Sequence, residues 1–68
     1  MTTSQKLTKR ELQIVKLICN GMSDGEIAQH LTLSPSTIRT HRKKILSKLD
    51  LKKTVLLVRY AYENKLIS

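Results

Sequence analysis

Ser34-Pro35-Ser36-Thr37-Ile38-Arg39-Thr40-His41-Arg42-Lys43-Lys44-Ile45-Leu46-Ser47-Lys48-Leu49 is the stretch on which the reading of this chain turns. Ser is a favoured helix N-cap, and Pro suits the first helical position because its missing N–H would be unpaired there anyway. No glycine and no second proline interrupts the run from Ser36 to Leu49, so a helix from about Pro35 to Leu49 is expected. Wound at about 100° per residue from Ile38, Ile45 and Leu49 return to within about 20° of it and form the inward face. Ser36, Thr40, Lys43 and Ser47 lie opposite, flanked by Arg39 and Lys44. A helix that is merely solvated mixes Glu with Lys at i, i+4. This one contains no acid, a costly pattern for an isolated helix and a sensible one against phosphates.

The charge of the whole chain is concentrated here. Net charge is +8 over 68 residues. Between Pro35 and Lys53, Arg39, Arg42, Lys43, Lys44, Lys48, Lys52 and Lys53 stand against Asp50 alone, a local +6, and the remaining residues hold only +2. Such a surplus favours a polyanion. A basic helix fits the major groove of B-DNA, about 12 Å wide. Arg39 can donate in bidentate fashion to guanine, Thr40 can meet a thymine methyl, and Ser36 and Lys43 lie on the same base-reading face. Lys44, Lys48, Lys52 and Lys53 are expected on phosphates, setting register and affinity without reading sequence. His41, at the edge of the inward face, either donates to a phosphate or packs as a histidine bonded to backbone. Arg42 points nearer the core and is expected to reach Glu11 or Glu26.

Upstream, two matching signals precede this helix. Thr8-Lys9-Arg10-Glu11 and Ser23-Asp24-Gly25-Glu26 both have the form of a capping box, flanked by the staple pairs Leu7/Leu12 and Met22/Ile27. They predict helices over about 9–20 and 24–31. Gly21 is placed to close the first in a left-handed conformation. The few residues from Leu31 to Ser34 force a sharp turn between the second and third helices, as in a helix-turn-helix. After a Lys52-Lys53 loop, Thr54 is expected to cap a fourth helix over about 54–63, with Asn64 at its end and Leu66 and Ile67 folding back. Residues 1–6 form a polar lead or the end of a linker, and 7–68 one all-α domain.

Composition agrees. No Trp or Phe is present, so the core is built from Leu, Ile, Val and Ala, and a core this small stabilises by only roughly 3–5 kcal/mol. The single Cys19 excludes an internal disulfide and fits a reducing, cytoplasmic setting. With His30 and His41 it gives no zinc spacing. No glycine-rich phosphate loop, nucleophile–base set or membrane-length apolar run is present, so no enzyme activity, cofactor, metal or membrane is expected.

The elements Leu7-Thr8-Lys9-Arg10-Glu11, Gly21-Met22-Ser23-Asp24-Gly25-Glu26-Ile27-Ala28 and Leu33-Ser34-Pro35-Ser36-Thr37-Ile38-Arg39-Thr40-His41, continued by Ile45 and Lys48-Leu49, resemble the LuxR/NarL-type (GerE-like) helix-turn-helix domain of bacterial transcription regulators, nearly end to end. The resemblance implies a four-helix domain whose third helix reads the groove from Arg39, Thr40 and Lys43. It also implies a two-fold dimer through the fourth helix, where Val55, Leu56, Arg59 and Tyr62 are expected outside and Leu57, Val58 and Ala61 inside. The partners expected are a double-stranded operator, a second copy and RNA polymerase, in the bacterial nucleoid. The sequence resembles the response-regulator branch most. Three positions depart from the common pattern: Asp50 where glycine is usual, Thr54 for arginine and Leu57 for alanine. Rival readings are a sigma-factor-like promoter-recognition domain and a helical module that binds an acidic protein.

Overall fold

The computed structural model describes residues 7–66 as four helices, α1 (Lys9–Cys19), α2 (Asp24–Leu31), α3 (Pro35–Lys48) and α4 (Thr54–Glu63), with no strand among the described residues. The lead over 1–6 and the fold-back of Ile67 lie outside them. None of the described helices is long and apolar enough to cross a membrane.

Three helices begin on a hydroxyl. Thr8 and Ser23 each accept from the backbone N–H three residues on, at 3.1 and 3.2 Å, while Glu11 and Glu26 accept from the cap N–H at 2.9 Å in both cases. Both capping boxes are therefore complete. Ser34 accepts from the Thr37 N–H at 3.2 Å. The fourth start differs from expectation. Its N-cap is Lys53, which makes no side-chain cap bond, and Thr54 is already inside the helix. The extended backbone needed before the first turn falls at Lys53, with φ −140° and ψ 149°, so the threonine hydroxyl is one position too late to cap.

All four helices end the same way. A residue two or three positions past each end donates back five positions: Met22 to Leu17, Leu33 to Ala28, Leu51 to Leu46 and Leu66 to Ala61, at 2.7–3.2 Å. The residue before it donates three positions back, Gly21 to Ile18, Thr32 to Gln29, Asp50 to Ser47 and Lys65 to Tyr62, and has φ of 84°, 59°, 56° and 57° in turn. This is the Schellman closure, which pairs carbonyls that a helix end otherwise strands. Met22, Leu33, Leu51 and Leu66 each pack against the core, so each closure also turns the chain inward and sets the start of the next segment.

The core is aliphatic: Ile14, Val15 and Ile18 of α1, Ile27 and Ala28 of α2, Ile38 and Ile45 of α3, Leu57 and Ala61 of α4, with Leu7 and Leu49. On α1 the buried stripe centres on Ile14 and includes Glu11, while Leu12 and Cys19 are only half-buried. Val58 is likewise half-buried, where an inward position was expected. The helix-turn-helix is the closest-packed pair, α2 against α3.

Gly21 isolates the cost of a left-handed helix end. A Cβ there would meet nothing within 4 Å, so only backbone conformation is at stake. Gly21→Ala is expected to lower stability by about 1 kcal/mol in urea denaturation, with an unchanged slope. No loss would show that the closure tolerates any residue.

Candidate nucleic-acid interface

Burial of Ile38, Ile45 and Leu49 fixes which way α3 faces. Ser36, Arg39, Thr40, Lys43, Lys44 and Ser47 are all exposed, as are Lys52 and Lys53 in the loop beyond. The first turn of α3 contains no acid, whereas α1 and α2 each place a glutamate there. Ser34, Ser36 and Thr37 instead join hydroxyls at this end, with Ser34 Oγ 3.1 Å from Ser36 Oγ and 2.8 Å from Thr37 Oγ1. A helix N-terminus with its partial positive charge and no carboxylate suits an incoming phosphate. The Thr40 hydroxyl donates to the Ser36 carbonyl at 3.0 Å, which leaves the methyl as the group Thr40 offers outward.

Two of the seven cations are committed inside the domain. The Arg42 guanidinium bonds Asp24 at 2.9 Å, not Glu11 or Glu26 as the sequence suggested. The reason is local: Glu26 is tied to the Ser23 N–H in its capping box, while Asp24, at the first position of α2, has no capping duty. Lys48 Nζ lies 2.7 Å from Glu11 Oε1. The sequence placed Lys48 with the phosphate-contacting lysines. In the fold it neutralises a carboxylate whose side chain is only 5% exposed; a partner on α3 was expected for Glu11, but it was expected to be Arg42. The signal for this burial was present in the helical phase, since Glu11 shares a face with Ile14, Val15 and Ile18. Each ion pair joins α3 to the first turn of another helix, α2 through Asp24 and α1 through Glu11.

His41 is half-buried, and its Nδ1 is buried with no hydrogen-bond partner among the described residues. Burial pushes the half-buried Cys19 thiol up, away from a reactive thiolate. Among the described residues, no three His, Cys, Asp or Glu side chains are grouped to hold a metal ion. On α4, Val55, Leu56, Arg59 and Tyr62 are exposed together, and Arg59 pairs with Glu63 at 3.1 Å on the same helix.

Burial raises the Glu11 carboxyl, but the hydrogen bonds from Lys48 and the Thr8 N–H, with the lysine charge, more than offset it and hold it below its ordinary 4.5. Bonds from Ser23 lower Glu26 in the same direction. Carboxylates lowered in the folded state stabilise it fully above about pH 4.5, and this contribution is lost as pH falls through their folded values. Lys48→Met is expected to cost about 1–3 kcal/mol near neutral pH, because it leaves Glu11 buried and unpaired, and to flatten the acid limb. Adding Glu11→Gln should recover part of the loss in a double-mutant cycle. A fully additive double mutant would deny the pair.

The pattern of the family described as bacterial regulatory proteins, luxR family, matches residues 5–61. The oxygen regulatory protein NreC of Staphylococcus haemolyticus is 44% identical over 61 residues, which cover 90% of this chain and 28% of that protein. NreC of Staphylococcus carnosus gives the same figures. The transcriptional regulatory protein LiaR of Bacillus subtilis is 41% identical over 64 residues, 94% of this chain and 30% of that protein. The chain thus spans less than a third of the length of these relatives. With four helices closed in one way, a short turn between α2 and α3, and this match over most of its length, the chain belongs to the luxR family of bacterial regulatory proteins.

Proposed function

We propose that this chain is the sequence-specific DNA-binding domain of a cytoplasmic bacterial transcription regulator, with α3 in the major groove of a double-stranded operator. The observation that carries this reading is the outward face of α3: exposed, acid-free and cationic, on a helix clamped from behind by buried isoleucines and two ion pairs. Arg39, Thr40, Lys43 and Ser36 read base edges. Lys44, Lys52 and Lys53, with His41, contact phosphates. Lys48 is reassigned from that set to positioning α3 against Glu11, and Arg42 acts likewise through Asp24. The names of the relatives, a transcriptional and an oxygen regulatory protein, support the regulator role. The function needs no cofactor and no chemistry, only a complementary surface.

Val55, Leu56, Arg59 and Tyr62 share one side of α4, and three large apolar or aromatic groups exposed on so short a helix suit a self-complementary contact. A second copy joined there would occupy a half-site about one helical turn away, roughly 34–36 Å.

Selection of bound duplexes from random DNA should return a preferred sequence held at least ~10³-fold tighter than random duplex. On that operator, Arg39→Ala is expected to cost about 1–3 kcal/mol and to relax preference at one base pair. Equal weakening on every duplex would move Arg39 to the phosphate set. Sequence-blind binding by the unaltered protein would favour a module for an acidic partner instead. Tyr62→Asp should remove cooperative occupancy of paired half-sites while leaving the melting temperature unchanged, because the side chain is exposed in the monomer. Undiminished cooperativity would exclude α4 as the contact.

A further inference from the structure

The chain has five acids, and four of them have a partner inside the fold. Glu11 holds Lys48 and the Thr8 N–H, Asp24 holds Arg42, Glu26 holds the Ser23 N–H and Glu63 holds Arg59. Asp50 is exposed and makes no ion pair or side-chain hydrogen bond among the described residues. It stands in the most basic part of the chain, directly after α3 and before Lys52 and Lys53. It also occupies the closure of α3 at φ 56°, a conformation glycine adopts without steric cost. An unpaired carboxylate thus sits at a position whose backbone does not call for a side chain, beside cations that have no acid to answer them.

We infer that Asp50 is an anionic restraint on the phosphate-facing surface, lowering the affinity of the domain for duplex DNA of any sequence. The inference rests on the proposed docking of α3 and its following loop on DNA. Lys52 is two residues away, so its backbone lies within about 7 Å of that of Asp50, inside the ~8 Å screening length of physiological salt. A carboxylate at that range repels the same phosphates that Lys52 and Lys53 attract. Binding of random sequence is almost wholly electrostatic, so a random duplex reports the restraint without a contribution from the base contacts of Arg39 and its neighbours.

Asp50→Asn removes the charge, keeps the size, and places a residue that tolerates the left-handed conformation. Fluorescence anisotropy on a random-sequence duplex across a salt series should show it binding roughly 2- to 5-fold tighter than the unaltered chain at low salt. The gain should shrink as salt rises. Asp50→Glu, which keeps the charge, should bind like the unaltered chain. Thermal unfolding should be the same for the unaltered chain and Asp50→Asn. Equal or weaker binding by Asp50→Asn would overturn the inference, as would a drop in its melting temperature with unchanged affinity, which would assign the carboxylate to the uncapped start of α4. Failure of the unaltered chain to bind any duplex would overturn the docking itself, and with it this inference.

Discussion

Seven cations gathered between Pro35 and Lys53 repel one another, and the rest of the domain holds the five on α3 so that Arg39, Lys43 and Lys44 face outward while Arg42 and Lys48 meet acids of α2 and α1. A helix with no acid of its own gains nothing from i, i+4 pairs. Its order is imposed from outside, by burial of Ile38 and Ile45 and by two carboxylates that reach it from the first turns of α1 and α2. Those carboxylates are well sited in their own helices too, since an acid in the first turn meets the positive end of the helix dipole. Glu11 and Asp24 therefore each stabilise the start of one helix while fixing α3 against it. Each also neutralises a cation of α3, so that Arg39, Lys43, Lys44, Lys52 and Lys53 are left without an ion pair among the described residues.

The second constraint is how the chain turns. In a domain this small every connection is short, and each helix end must satisfy its stranded carbonyls at once. The repeated closure does this four times with one geometry: a left-handed residue followed by a hydrophobic one that returns to the core. Only the first uses glycine. Thr32, Asp50 and Lys65 take the same conformation at a cost of roughly 1–2 kcal/mol each for an ordinary side chain, less for aspartate. That cost is borne because Leu33, Leu51 and Leu66 pack against the core in return. The closure at Thr32 matters most for function, since it sets the angle between α2 and α3 and so the presentation of the outward face.

Much of this was legible in the residues. The helix starts at Thr8, Ser23 and Ser34 announce themselves by hydroxyl and, in two cases, by glutamate three positions on. The end at Gly21 was visible for the same kind of reason, because glycine marks a left-handed residue. The other three helices also end within a residue of the expected 31, 49 and 63, but the left-handed closures at Thr32, Asp50 and Lys65 were not visible, because that conformation is set by packing of the leucine that follows and not by the residue itself. The start of α4 misled by one position, since a threonine beside the correct cap looks like the cap. For the candidate site, the 3.6-residue period was enough to separate the outward side chains of α3 from the inward ones. The partners of Arg42 and Lys48 stayed undetermined, because they depend on how three helices meet and not on the order of residues along any one.

Presentation of the polar face of α3 to the groove is tested most directly by solution NMR during titration with a selected operator duplex. The largest shifts should fall on Ser36, Arg39, Thr40, Lys43 and Ser47, with smaller ones at Lys52 and Lys53 and little change across the exposed face of α1. Shifts concentrated on α1, with the outward face of α3 unmoved, would contradict that docking.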